Sequence, residues 1–147
     1  IEGSSITTIS NRINKEVDSQ GDLDLSSELT PIGGKHSAYI TKKVLLETSS
    51  TSVKVLFDGI RTSNNDIKVF VKIKGDSSPG SFVDMNYIEI PSVSYPTSET
   101  RSQYRAFDYE IKGLREFKEF SVKVVMIGND QSDCPKIRNF RALALAL

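Results

Sequence analysis

The chain has 147 residues, enough for one ordinary domain with a sizeable core. Its 19 lysines and arginines balance 19 aspartates and glutamates, so no net field draws it to nucleic acid or to an anionic membrane. No apolar run approaches the roughly 20 residues that span a bilayer, and the lone Cys134 excludes an internal disulfide and gives no support to an oxidising compartment.

The absence of tryptophan, beside plentiful Ser, Thr, Val, Ile and Lys, suits an all-β domain better than a helical one. The opening Ile1-Glu2-Gly3 has neither methionine nor the basic start and apolar middle of a secretion signal, which fits a trimmed chain or a piece of a longer polypeptide. Residues 1–29 read as an arm or linker that docks on the domain or on a neighbour. Within it, Ser4 to Ser10 is β-prone, Ile13 and Val17 sit four apart as in a helical turn, and Asp22-Leu23-Asp24-Leu25 alternates like a short strand end.

Thr30-Pro31-Ile32-Gly33-Gly34 punctuates the chain, and the domain is expected over 30–147. Ala38 to Leu46 reads as a strand, Thr48 to Ser52 as a polar loop, and Val53 to Asp58 as a second strand with Val53, Val55 and Phe57 on one face. Asp66 to Lys74 gives the clearest signal. Ile67, Val69, Val71 and Ile73 fall on one face of an extended strand, and Lys68, Phe70, Lys72 and Lys74 on the other, the period of two that a half-buried strand requires. Gly75 to Gly80 closes it with turn residues.

Phe82 to Ile90 resumes extended structure, and Pro91 to Ser102 reads as a long loop with Tyr95 at its middle. In Gln103 to Lys112 the set Arg105, Phe107, Tyr109 and Ile111 is the expected core face, with Arg105 near its mouth. Gly113 to Phe117 is a turn, Phe120 to Ile127 a strongly apolar strand, Gly128 to Pro135 a hydrophilic loop, and Lys136 to Leu145 the last strand. Roughly seven or eight strands joined by turn-rich loops point to an antiparallel, jelly-roll-like β-sandwich, with a closed barrel as the alternative.

Little in the chain offers catalysis. His36 has no partner at metal-ligand or acid–base spacing, and Cys134 has no histidine near it in sequence. Asp22 with Asp24, and Asp58 with Asn64, Asn65 and Asp66, supply oxygens of the kind calcium takes, but no dense Asp-x-Asp-x-Asp-Gly loop is present, so they read as turn residues. Lys42, Lys43, Lys54, Lys68, Lys72 and Lys74 read as a solvated face that discourages edge-to-edge pairing, not as a nucleic-acid site. Tyr39, Tyr87, Tyr95, Tyr104 and Tyr109 read as interface or core-edge residues. No cofactor and no metal are expected.

The succession Thr30-Pro31-Ile32-Gly33-Gly34 and Ala38-Tyr39-Ile40-Thr41-Lys42-Lys43-Val44 resembles a domain of virion structural proteins of tailed phages, the T-even-like myoviruses and their cyanophage relatives. The similarity runs on through Val53 to Asp58, Asp66 to Lys72, Phe107-Asp108-Tyr109, Phe117 to Met126 and Pro135 to Ala144, about residues 30–146. Members often carry a tryptophan where this chain reads Phe82-Val83-Asp84-Met85-Asn86-Tyr87, and the first thirty residues lie outside the resemblance. It implies a non-enzymatic part of a phage tail, baseplate or fibre attachment apparatus, a homo-oligomer among other virion proteins. The alternative is a carbohydrate-binding module for host-surface glycan, with or without calcium, whose site draws on Tyr95, Arg101, Asp58 and Asn64 in the loops at the ends of the sandwich.

Overall fold

Alternation along Asp66–Lys74 does become a strand, and it lies at the centre of a sheet. The structure, a computed structural model, describes residues 36–128 and 134–146. In chain order its strands are β1 (His36–Ile40), β2 (Val44–Ser50), β3 (Ser52–Ile60), β4 (Asp66–Lys74), β5 (Ile88–Ile90), β6 (Ser92–Ser94), β7 (Arg105–Ile111), β8 (Phe117–Ile127) and β9 (Lys136–Leu145), with a 3-10 turn at Phe82–Asp84. One antiparallel sheet has the order β1-β8-β4-β5, with β2 also on β8, and the other has the order β6-β7-β3-β9. The expected all-β antiparallel sandwich is therefore what the chain forms. The 1–29 arm, with Asp22 and Asp24, lies outside the described residues.

Ile67, Val69 and Val71 face inward from β4 and meet Met126, Val124 and Val122 of β8 in register. From the other sheet Val53, Val55 and Phe57 of β3 and Phe107 and Tyr109 of β7 close the core. Phe57 stacks on Phe107 with ring centroids 5.1 Å apart. Burial of such rings and branched side chains, at about 1.5–3 kcal/mol each, is the main stabilising term.

Four expectations need correction. The strand read as Ala38 to Leu46 breaks at residues 41–43, because the Thr41 hydroxyl accepts the Val122 N–H at 2.9 Å and the Ser121 hydroxyl donates to the Thr41 carbonyl at 2.8 Å. Side chains thus satisfy β8 where the ladder lapses. The polar run Thr48 to Ser52 is not a loop: β2 continues to Ser50 and β3 starts at Ser52. Thr51 alone carries the chain from one sheet to the other, its N–H donating to the Leu145 carbonyl at 2.9 Å. Ser52, buried at this corner, donates its hydroxyl to the same carbonyl, so hydroxyl side chains there serve backbone groups.

The third correction concerns Phe82 to Ile90. It forms a 3-10 turn and enters a strand only at Ile88, while the supposed loop after Pro91 contains β6. Pro91 is the second corner between the sheets, and its carbonyl accepts the Glu110 N–H at 3.1 Å. The fourth concerns the lysines. Lys72 is 0% exposed, and so is Lys123, with the rings of Phe82 and Tyr87 beside the Lys72 ammonium and that of Tyr87 beside Lys123. Lys54 remains on a solvated face as expected, paired with Asp108 and Glu110 at 3.1 and 3.2 Å.

β9 carries the one non-glycine residue with positive φ among the described residues, Asn139 at 55°. Register slips there, Leu56 facing Arg141 but Asp58 facing Arg138, so two residues oppose one. Asparagine tolerates that backbone better than most residues. The bulge shifts the alternation, so that Ile137 before it and Phe140, Ala142 and Ala144 after it all reach the core. Gly75 meets a different demand: a Cβ there would lie 2.2 Å from the Glu116 carbonyl oxygen.

Candidate functional site

Where β5 ends, β4 runs on with β8 on one side and no strand on the other. Its ladder with β5 spans Val69 to Val71, which leaves the outward N–H and C=O of Ile67 to find other partners. Two tyrosines from the opposite side of the sandwich supply them. The Tyr95 hydroxyl accepts the Ile67 N–H at 2.9 Å and donates to Asp66 Oδ1, and the Tyr109 hydroxyl donates to the Ile67 carbonyl at 2.9 Å. An unmet backbone group at this depth would cost about 1–3 kcal/mol, so the pair acts as a staple between layers.

Beside this staple lies a cleft of about 360 Å³, lined among others by Asp66, Lys68, Glu89, Pro91, Tyr95 and Tyr109. Burial first, then the hydrogen bond to Asp66, pushes the Tyr95 hydroxyl up to about 12. Burial moves Tyr109 further in the same direction. Both phenols therefore stay protonated at neutral pH, which suits a hydrogen-bonding cap and not a base or nucleophile.

Arg61 holds the Tyr95 segment in place. Its guanidinium lies 3.9 Å from the Tyr95 ring centroid, within cation–π range, and donates to the Thr97 hydroxyl at 2.9 Å and the Asn65 carbonyl at 3.2 Å. The backbone adds Ser98 N–H to the Arg61 carbonyl at 2.7 Å. The edge of Tyr95 meets Phe107 and Tyr109 at centroid distances of 5.7 and 6.3 Å. The stretch read as a free loop is thus an ordered brace.

The four residues of the glycan reading sit on different elements. Tyr95 gives one ring face to Arg61 and its hydroxyl to β4. Asp58 projects from the outer face of the four-stranded sheet and accepts from Asn139 Nδ2 at 2.9 Å. Asn64 is exposed in the turn before β4, and Arg101 is exposed in the bend before β7. Cys134 is exposed, and His36 opens β1. Among the described residues no group of three His, Cys, Asp or Glu side chains is placed to hold a metal ion. Sequence reasoning missed Arg61, whose only signal was its place after a strand and ahead of the Thr62–Asn65 turn.

Comparison with known proteins gives no match to any family model, curated protein or solved structure.

Proposed function

We propose that the chain is a non-enzymatic structural domain of a tailed-phage virion, in the tail, baseplate or fibre attachment apparatus, working through contacts with other virion proteins and with copies of itself. Its sequence pattern over residues 30–146 supports the virion reading. One structural observation supports the mode of action: exposed large apolar side chains concentrate on edge strands. Val44 and Leu45 lie on β2, Ile88 on β5, Val93 on β6 and Leu143 on β9, with Leu45 at 70% exposure. Proteins that stay alone blunt such edges with charge, and apolar edges suit pairing with neighbours.

Sedimentation velocity across a concentration series, run with the chain alone and with purified tail components, tests this. Association that Leu45→Glu and Val93→Glu abolish is expected. A clean monomer at high concentration with no affinity for any tail component would overturn the reading. A glycan array on the same protein checks the rival: binding lost in Tyr95→Ala or Arg101→Ala would favour a carbohydrate module.

A further inference from the structure

The sandwich has two side walls, each made of one edge from either sheet. On the first wall β2 closes the five-stranded sheet and β9 the four-stranded one, and the Tyr39 ring of β1 meets Phe140 of β9 across the layers at 6.4 Å. On the second, β5 and β6 run together through the Pro91 corner. Among the described residues no strand pairs with the far side of β2, β9, β5 or β6. Both walls are greasy: Val44, Leu45 and Leu143 are exposed on the first, Ile88 and Val93 on the second. Their charges differ. β9 carries Lys136, Arg138 and Arg141 against the one carboxylate of β2, Glu47, whereas β5 and β6 carry Glu89 and no cation. Two copies of the first wall face to face would crowd the β9 cations together, while the first wall against the second opposes unlike charge.

Strand direction favours the same match. β1 and β2 share one side of β8, so each sheet is four strands across, and every pairing in it is antiparallel. The two edges of a sheet with an even number of such strands run in opposite senses. A second copy in the same orientation therefore sets its β6 antiparallel to β9 and its β5 antiparallel to β2, and both sheets continue through the contact. The unpaired N–H and C=O groups of edge strands are a template for such ladders. β5 and β6 have three residues each, so the added ladders are short and the apolar side chains beside them must share the work.

We propose that copies of this chain associate head to tail, the β2–β9 wall of one against the β5–β6 wall of the next. This rests on the self-association reading above and names its interface. A heterologous contact of this kind leaves one wall free at each end, so it builds rings or filaments and not closed pairs. Two blocked variants test it by sedimentation velocity. One carries Leu45→Glu and Leu143→Glu, the other Ile88→Glu and Val93→Glu, all at exposed positions. Each variant alone is expected to sediment as a monomer. An equal mixture is expected to form a heterodimer that grows no further, because each variant supplies the wall that the other lacks.

A variant that still self-associates alone, or a mixture that stays monomeric while the parent associates, overturns the head-to-tail contact and leaves self-association standing. A parent chain that is monomeric at every concentration overturns self-association as well. Should a variant fail to fold, hydrogen exchange on the unmodified chain decides. Rising concentration should slow exchange in β9 and β6 together, since one contact uses both. Slowing on one wall alone, or on neither, overturns the proposal.

Discussion

The two sheets share one core but treat their outer faces in opposite ways. On the five-stranded sheet the outer side chains include Phe70, Lys72, Lys123 and Val125, all buried beneath or beside Tyr87, with Lys68 and Lys74 partly exposed on the same face. On the four-stranded sheet they include Lys54, Asp108 and Glu110, linked by ion pairs at 3.1 and 3.2 Å and only half-buried. Lysine on alternate strand positions therefore says little by itself. The same residue type is a solvated gatekeeper on β3 and a buried cation on β4, and the difference is set by what the chain lays over the strand. On β4 that cover includes the excursion through Phe82 and Tyr87 before β5.

If the covered face is a second small core, Phe70→Ala should cost about 3–5 kcal/mol in urea unfolding, the range for an aromatic ring removed from an interior. A loss below about 1 kcal/mol would break the comparison, since it would make the face an ordinary surface. The junction of the layers should come next. Tyr95→Phe strips the Ile67 N–H and Asp66 of their partner and should cost about 1–3 kcal/mol, while leaving the edge contacts of the ring with Phe107.

Alkali probes the same junction. The Tyr95 and Tyr109 hydroxyls lie above the ordinary phenol value of 10.0 in the folded chain, Tyr95 at about 12. The unfolded chain gives up these protons first, so the stability they contribute is complete below pH 10.0 and is lost as pH rises through the folded values. Circular dichroism against pH should show unfolding in that window, accompanied by tyrosinate absorbance. Tyr109→Phe should weaken the dependence.

On the open face Leu143, 46% exposed, should yield within about 0.5 kcal/mol of the parent when changed to alanine. The ion pairs there should have the smallest effect. Lys112 and Lys54 hold the Glu110 carboxyl below its ordinary value of 4.5. That contribution is present above the ordinary value and fades as pH falls through the lowered one. A slight drop in melting temperature on acidification, absent in Glu110→Gln and screened by salt, is the expected signature.

Strand type and inward face were legible where alternation was strict. In Asp66–Lys74 and Phe120–Ile127 apolar residues recur at alternate positions, and the structure keeps the inward face of β4 as read, while β8 begins earlier, at Phe117, where a turn was expected. Legibility failed where side chains stand in for backbone. Thr51 and Ser52 look like loop material and Thr41 like mid-strand, yet their hydroxyls and amides serve the corner and the break beside β8. It failed again at β9, where Asn139 shifts the alternation by one residue and a strict period of two would turn Phe140 outward. The staple was hidden for another reason. Tyr95 and Tyr109 are far in sequence from Arg61 and Asp66, and only the pairing of β4 with β5 leaves Ile67 in need of them.

Thr51 and Pro91 make the sandwich one continuous ribbon at two places, β2 into β3 and β5 into β6, each with a single residue between strands. Pulling the sheets apart would therefore strain main-chain covalent bonds at both corners before the oily interior could open. A tug on either layer must travel along the strands as shear, against whole rows of hydrogen bonds acting together. That is the geometry in which a small β domain resists force well without a disulfide.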